Sequence, residues 1–242
     1  VKDEKLNLIF LVLSNILVLS SDYVSYFIFP AQFMFLFLKE RTGSLFFRKE
    51  LLKKWLIALS MALLFGVWWL PTFLGQLNVG AVASANLPTW KFINGAFDFK
   101  TLPLTFVKFI IGRISLADKV IYGAILLPVV SLFAYLIFRG LKSLTQKNLL
   151  LFWLVIPIAV ATIISFFVPV YNYFRVLYVL PAFLILISAG ILSFKKSKYI
   201  LIIILTIEIF CSLVYLFNPA YQREDWKGLV DFLRDKPALI LF

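Results

Sequence analysis

Residues 119–138, KVIYGAILLPVVSLFAYLIF, and residues 199–217, YILIIILTIEIFCSLVYLF, decide the fold class of this protein. Each stretch is about 20 residues long and contains a single charged residue, Lys119 in the first and Glu208 in the second. A helix of about 20 predominantly apolar residues is long enough to cross the hydrocarbon core of a bilayer. Both stretches therefore predict membrane-spanning helices.

Five further apolar runs bring the predicted number of spans to about seven. The runs cover residues 6–20, 23–38, 54–74, 119–138, 149–169, 174–194 and 199–217. The first two are short, and only the polar turn Ser20-Ser21-Asp22 divides them. Prolines inside the runs do not argue against spans, because transmembrane helices tolerate proline as a kink.

The composition agrees with an all-α polytopic membrane protein. The chain of 242 residues is 62% hydrophobic and 15% charged, whereas soluble domains are about half apolar and about a quarter charged. The net charge of +12 comes from basic residues that lie between apolar runs and form no continuous stripe, which favours contact with lipid headgroups over nucleic acid. The absence of histidine excludes histidine-based metal sites from the sequence, and the single cysteine, Cys211, excludes an intrachain disulfide.

The basic residues also predict an orientation in the cell membrane. With a cytoplasmic N-terminus, the cytoplasmic connections at 39–54, 139–147 and 195–198 each hold three or more lysines and arginines. The short outside connections hold none at 21–22 and only Arg175 near 170–175. Because short cytoplasmic loops are enriched in Lys and Arg, the sequence predicts a cytoplasmic N-terminus and an extracytoplasmic C-terminus.

Two segments are predicted to lie outside the spans. Residues 75–118 form a long outside loop, since Gly75-Gln76, Asn78, Asn86-Leu87-Pro88 and Asn94-Gly95 are turn or helix-breaking signals. Within it, the apolar stretch 104–114 is expected to lie along the membrane interface.

The tail 218–242 contains helical spacing at 226–233 and then the apolar run 238–242. Helix followed by apolar strand predicts the start of an extracytoplasmic α/β domain, so the chain divides into 1–217 and 218–242. The start at Val1 and the end within an apolar run favour a piece of a longer chain.

Several residues on the outer side are candidates for a functional site. Asp22-Tyr23 occupies the tightest outside turn, where the carboxylate either contacts a substrate or caps the next helix. Arg175 is suited to a bidentate contact with phosphate, or it extends to lipid headgroups. Trp68-Trp69 with Gln76 forms either an interfacial aromatic belt or a platform for a sugar or lipid. Glu208, in the middle of a span, is either functional or paired within the bundle.

Four features of the chain together resemble a known enzyme family. They are Leu19-Ser20-Ser21-Asp22-Tyr23 with Gln32, Trp68-Trp69-Leu70-Pro71 with Gln76, Tyr171-Asn172-Tyr173-Phe174-Arg175 with Tyr178 and Pro181, and Glu224-Asp225-Trp226-Lys227. In order and spacing they are similar to the C-terminal half of GT-C glycosyltransferases that use polyprenol-phosphate sugars, the protein-mannosyltransferase and aminoarabinose-transferase type. Asp22 stands where the family commonly has the histidine of a His-Tyr pair.

The resemblance implies transfer of a sugar from a polyprenyl-phosphate carrier to an acceptor outside the membrane. It implies that Arg175, Tyr171, Tyr173, Asp22, Tyr23 and Gln76 contact substrate or the lipid phosphate. The family's catalytic carboxylate lies in an early outside loop that has no counterpart before the third span, so the catalytic base is unknown here. No ligand cluster indicates a metal, although a divalent cation stays an open alternative, and the sequence indicates no oligomeric state. A transporter or flippase for a lipid-linked substrate and a non-catalytic membrane scaffold are the competing interpretations.

Overall fold

The computed structural model describes residues 2–39, 45–86, 98–116, 118–145 and 147–218, together with the tail positions 221, 228, 230, 231 and 234. Regular structure in these residues is helical throughout, with no strand among them. The predicted strand at 238–242 and most of the predicted tail helix lie outside the described residues. The all-α prediction is confirmed for the part of the chain that the structure describes.

The described residues form nine α-helices. They are α1 (Lys2–Ser21), α2 (Ile28–Lys39), α3 (Leu45–Gly66), α4 (Leu70–Asn86), α5 (Thr101–Ile111), α6 (Lys119–Ser143), α7 (Lys147–Ser165), α8 (Leu180–Leu192) and α9 (Ser197–Phe217). Short 3-10 helices precede α2, α4 and α8, at Tyr23–Phe27, Val67–Trp69 and Leu177–Val179.

Four helical segments in the described ranges are long and apolar enough to cross a membrane. They are Glu50–Ala83, Lys119–Ser143, Lys147–Ser165 and Ser197–Phe217, and they contain or overlap the predicted spans at 54–74, 119–138, 149–169 and 199–217. The other three predicted spans fall on the shorter apolar helices Leu6–Ser21, Tyr23–Leu38 and Leu177–Leu192. Four of the predicted spans therefore have a helix of sufficient length, and the total of seven stays a prediction.

The predicted loop at 75–118 begins too early, because the chain stays helical as far as Asn86. The helix narrows to 3-10 geometry at Val67–Trp69, just before Pro71, whose nitrogen cannot donate to the preceding turn. It then resumes through Gly75, Gln76 and Asn78, since a single glycine costs a helix only about 1 kcal/mol. The 34 residues of Glu50–Ala83 correspond to about 51 Å of helix, so this segment is longer than a hydrocarbon core of about 30 Å.

The predicted interfacial stretch 104–114 overlaps α5, which packs against α8, and its position at the membrane interface stays a prediction. Ile110 on α5 is only 1% exposed. The ring of Phe183 on α8 meets the rings of Phe106 and Phe109 edge-on, with centroid distances of 5.7 and 5.6 Å. Gly112 ends the helix with a φ of 66°, a backbone conformation that glycine adopts without steric cost. The turns predicted between residues 87 and 97 lie outside the described residues.

Helices α6 and α8 cross in close contact. A Cβ placed on Gly140 would come within 2.0 Å of the carbonyl oxygen of Leu186. A Cβ on Gly190 would come within 2.0 Å of the carbonyl oxygen of Leu136. Small residues at such crossings let helix backbones approach closely. Leu136 and Phe133 on α6 and Ile187 on α8 extend this contact into the main apolar core.

Two opposite ends of the bundle are defined by contacts between distant parts of the chain. The Asp22 end carries residues 22–27 and 166–179, which are joined by a hydrogen bond from the Tyr178 hydroxyl to the Val24 carbonyl, 2.8 Å long. The Arg139 end carries residues 139–145, Lys147 and residues 193–198. Arg139 there donates to the side chain and carbonyl of Ser193 at 3.1 and 3.0 Å. Helices α7 and α8 both run between these two ends.

Candidate functional site at the Asp22 end

The turn that carries Asp22 is fixed by hydrogen bonds from its neighbours. The Ser25 hydroxyl donates to the carbonyls of Val18, at 2.8 Å, and Asp22. The Tyr26 hydroxyl donates to the Leu19 carbonyl at 2.9 Å. These bonds satisfy carbonyls at the end of α1 that have no partner within the helix, and they hold the following 3-10 helix against α1.

The Asp22 side chain is exposed and makes no hydrogen bond to the backbone of the helix that follows it. The alternative that this residue serves as a helix cap is therefore wrong for the structure. No ion pair or hydrogen bond from its carboxylate occurs within the described residues. Both carboxylate oxygens are available to a ligand.

Tyr23 joins the turn to α4 and to the 3-10 helix before it. Its hydroxyl accepts a hydrogen bond from the indole nitrogen of Trp69 at 2.9 Å and donates to the Gln76 side-chain oxygen at 2.5 Å. Its ring lies against Phe73, with ring centroids 4.8 Å apart. Tyr23 and Gln76, two of the predicted site residues, are thus in direct contact. The Gln76 amide nitrogen keeps its two donors free of partners among the described residues.

A cavity of about 750 Å³ opens between the end of α1, the end of α3 and the start of α4. Its aromatic lining includes Tyr23, Tyr26, Trp68, Trp69 and Phe73, and its polar lining includes Ser20, Ser21, Asp22 and Gln76. Among the described residues that line it, Asp22 is the one charged side chain. The cavity therefore combines apolar ring faces with an anion and amide donors.

The segment 166–179 presents Arg175 at the same end of the bundle. The helix that was predicted to continue to 169 ends at Ser165, because Pro169 has no N–H to donate to the Ser165 carbonyl and disfavours helical geometry at Val168. The Arg175 backbone N–H donates to the Asn172 carbonyl at 3.0 Å. The Arg175 side chain is half-buried, and its guanidinium has no ion pair or hydrogen bond within the described part of the chain.

Tyr171 and Tyr173, the two predicted tyrosines of this segment, differ in their surroundings. Tyr171 is 1% exposed, and its hydroxyl donates to the Thr105 hydroxyl of α5 at 2.9 Å. Its backbone N–H donates to the Ser165 hydroxyl at 2.8 Å, and burial raises the pKa of its phenol. Tyr173 is half-buried, with its ring 5.6 Å from that of Phe174. Tyr171 therefore holds the segment in place, whereas Tyr173 is open to a ligand.

The Asp22 turn and the Arg175 segment adjoin each other through a shared apolar cluster. Val24, Tyr171 and Val176 are buried together with Ala161 of α7. The Tyr178 hydroxyl donates a hydrogen bond to the Val24 carbonyl, and the Tyr178 carbonyl accepts one from the Trp153 indole nitrogen at 3.1 Å. The structure thus brings Asp22 and Arg175 to adjoining segments, although 153 positions separate them in the sequence.

Sequence reasoning missed part of this site. Tyr26 and Phe73 were not predicted to take part, and Trp68 and Trp69 were assigned mainly to an aromatic belt. The signal that could have found them is the tryptophan pair that shortly precedes Gln76 in the chain, together with the aspartate in the turn at residue 22. Glu208 is half-buried in the middle of α9. The described residues contain no cluster of three or more acidic, cysteine or histidine side chains suited to a metal ion.

Comparisons of the chain with known protein families, curated proteins and solved structures gave no match.

Proposed function

We propose that this protein is a membrane glycosyltransferase of the GT-C type that transfers a sugar from a polyprenyl-phosphate carrier to an acceptor on the extracytoplasmic side. The observation that carries the proposal is that two side-chain groups without a partner among the described residues lie on adjoining segments. These are the guanidinium of Arg175 and the carboxylate of Asp22. A transferase of this kind needs a cation for the carrier phosphate and hydrogen-bonding groups for a sugar.

The main requirement of the proposed reaction is stabilisation of the leaving group, the polyprenyl phosphate. The bond between the anomeric carbon and the phosphate oxygen breaks, and a bond from that carbon to the acceptor oxygen forms. The polyprenyl phosphate leaves with the electron pair, and the acceptor proton passes to a base. Arg175 is suited to bind the phosphate oxygens bidentately as negative charge develops on them. The base is not assigned to a residue, and the family resemblance implies a carboxylate in another outside loop.

The proposal includes seven spans with a cytoplasmic N-terminus and an extracytoplasmic domain that begins after residue 217. The apolar part of helix α1 is Leu6–Ser21, whose 16 residues correspond to about 24 Å, somewhat less than a hydrocarbon core of about 30 Å. Exposed lysines surround the short connections at the Arg139 end, namely Lys142, Lys147, Lys195, Lys196 and Lys198. Of the short connections at the Asp22 end, 22–27 holds no basic residue and 166–179 holds Arg175 alone. This asymmetry supports a cytoplasmic Arg139 end.

A variant pair tests the proposed role of Arg175. Membranes that contain the protein, Arg175→Ala or Lys119→Ala are supplied with a radiolabelled polyprenyl-phosphate sugar. Lys119 is a suitable control because it is an exposed cation whose ammonium contacts the Leu116 carbonyl of its own turn. We expect transfer to be lost in Arg175→Ala, with insertion intact, and retained in Lys119→Ala. Normal transfer by Arg175→Ala would contradict the proposed role of Arg175 in binding the carrier phosphate.

A flippase for the same lipid-linked sugar is the alternative, and Glu208 is the observation that favours it. An acidic residue in the middle of a span is energetically costly and often marks a transport pathway. In the described residues, no ion pair or hydrogen bond involves the Glu208 carboxyl. Movement of the lipid-linked sugar across the bilayer without transfer, and its loss in Glu208→Gln, would support this alternative over the transferase.

A further inference from the structure

The aromatic cavity at the Asp22 end is chemically unsuited to a phosphate group. Among its described lining residues there is no lysine or arginine, and Asp22 places a carboxylate in its wall. Like charges repel most strongly where apolar walls exclude water. The cavity therefore differs in ligand chemistry from the Arg175 segment, even though the two adjoin.

The polar groups in the cavity match a ligand that carries several hydroxyl groups. The Asp22 carboxylate offers two acceptor oxygens, and the Gln76 amide nitrogen offers two donors. The Tyr23 hydroxyl fixes the orientation of the Gln76 amide, because it donates a hydrogen bond to the Gln76 side-chain oxygen. The amide nitrogen then points away from Tyr23. Hydrogen-bonding groups that are held in place before binding lose less conformational entropy when a ligand arrives.

The aromatic groups in the cavity match the apolar face of a ring. Trp68 is 67% exposed, with its ring 5.3 Å from that of Trp69 and inclined by 72°. The Trp69 indole is fixed by its hydrogen bond to Tyr23. A sugar ring has C–H faces that pack on aromatic side chains and hydroxyl edges that form hydrogen bonds, so both parts of the lining would be used.

We propose that this cavity is a saccharide site that binds a neutral sugar ring between Trp68 and the Asp22–Gln76 wall. Its use as the acceptor site rests on the proposed transferase function, whereas its affinity for a sugar ring does not. An aromatic belt at the membrane interface would account for the exposure of Trp68. It would not account for a carboxylate without a partner in the described part of the chain and a fixed amide in the same cavity.

The test measures ligand binding and uses probes that separate ring, hydroxyl and phosphate chemistry. The protein in lipid nanodiscs is examined by saturation-transfer NMR with methyl α-D-mannopyranoside and methyl β-D-glucopyranoside. Erythritol, which has hydroxyls and no ring face, and geranyl phosphate serve as comparison probes. Trp68→Ala and Asp22→Asn alter the cavity. Tyr199→Ala is the matched control, because Tyr199 is 68% exposed and lies at the other end of the bundle.

We expect at least one glycoside to bind, and erythritol to give no comparable signal. Trp68→Ala should weaken glycoside binding by about 2- to 10-fold, the range expected for one aromatic contact. Asp22→Asn should weaken it by about 10-fold or more, the range expected for one hydrogen bond to a charged group. Tyr199→Ala should bind as the unaltered protein does. Absence of glycoside binding, or equal binding by all the variants, would overturn the saccharide site. Binding of geranyl phosphate that depends on Trp68 would overturn it in favour of a carrier site.

The outcomes also separate this site from the proposed function. Glycoside binding that depends on Trp68, in a protein that transfers no sugar, would contradict the transferase and support the saccharide site. Sugar transfer that depends on Arg175, together with glycoside binding unaffected by Trp68→Ala, would support the transferase and overturn the saccharide site.

Discussion

At the scale of single residues, Arg175 is the side chain on which the proposed chemistry depends most. Its guanidinium is half-buried and free of protein partners in the described part of the chain, so the phosphate would be its principal ligand. A guanidinium binds two phosphate oxygens in a plane, whereas an ammonium binds as a point charge. The distinction between these two modes can be measured.

Arg175→Lys should keep part of the activity that Arg175→Ala loses. We expect Arg175→Ala to lower kcat by about 100-fold or more, as removal of one group that stabilises developing negative charge does in other enzymes. Arg175→Lys should give an intermediate kcat with a smaller change in KM. Steady-state transfer kinetics of the two variants would check this. If Arg175→Lys and Arg175→Ala had the same kcat, a positive charge at this position would not contribute to catalysis by itself. That result would contradict the expected partial activity of Arg175→Lys.

Because of Tyr171, the stability of the Asp22 end should decrease at alkaline pH. Burial raises the pKa of its phenol in the folded protein, above the value of about 10 for an unfolded tyrosine. The neutral phenol therefore contributes stability below about pH 10, and this contribution is lost as the pH rises from there through the folded-state pKa. Melting temperatures in detergent from pH 8 to 11 should fall less steeply for Tyr171→Phe. Identical slopes would contradict the assignment of a buried, neutral phenol.

At the scale of helices, a polar chain links α1, α2 and α3. The Trp55 indole nitrogen donates to the Gln32 side-chain oxygen at 2.8 Å, and the Gln32 amide nitrogen donates to the Asn15 side-chain oxygen at 3.4 Å. Trp55 can only donate, so it fixes the orientation of the Gln32 amide, which in turn fixes that of Asn15. The Asn15 amide nitrogen is buried without a partner among the described residues.

Replacing Gln32 alone should cost more stability than replacing both amides. Gln32→Leu leaves the polar atoms of Asn15 and Trp55 buried and unpaired, at a cost of about 1–3 kcal/mol for each group. In Asn15→Leu with Gln32→Leu, the Asn15 atoms are removed as well, so part of that cost should be recovered. Unfolding in detergent would measure both variants. A double variant less stable than the single one would contradict this role of the polar chain.

The crossing of α6 and α8 should tolerate no side chain at Gly140. Gly140→Ala would place a methyl group against the Leu186 carbonyl, forcing the helices apart at a cost of about 1–3 kcal/mol. Gly123→Ala, in the same helix, is the control, because a Cβ there meets nothing within 4 Å. It should be neutral or stabilising by up to about 1 kcal/mol, since alanine favours helix. Equal melting temperatures for the two variants would contradict the close approach of the helices.

Sequence patterns predicted the helices well and their ends less well. The long apolar runs at 119–138 and 199–217 were sufficient to predict two of the helices, because hydrophobicity and length alone identify helices of this kind. The end of the third run was misplaced because Gly75 and Asn78 were treated as breakers, whereas Leu70 to Asn86 remains helical around them. Local propensity is a weak guide where neighbouring residues favour helix.

At the scale of the whole molecule, the orientation of the two ends is the prediction that all others require. In a Cys211→Ser background, Gln76→Cys at the Asp22 end and Lys196→Cys at the Arg139 end are both exposed positions. A membrane-impermeant maleimide added to intact cells should label the first and not the second, and permeabilisation should expose the second. The reverse pattern would place the candidate site on the cytoplasmic side and contradict the proposed acceptor side.

The candidate site was only partly predictable because it is made by contacts between distant segments. Sequence order indicated Asp22, Tyr23, Gln76 and Arg175 separately, from their positions at the ends of apolar runs. It could not indicate that Tyr178 bonds to the Val24 carbonyl, or that Tyr171 would be buried on Thr105. Such contacts depend on how the helices are arranged, and no local spacing encodes them.

Sugar transfer by the purified protein in liposomes is the most direct measurement. A radiolabelled polyprenyl-phosphate sugar is supplied with a panel of glycoside and peptide acceptors, and both the labelled product and the released polyprenyl phosphate are quantified. The proposed function predicts equal amounts of the two, absent from liposomes without protein and lost with Arg175→Ala. Release of neither, in a protein shown to be inserted and folded, would contradict the assignment of this molecule as a glycosyltransferase.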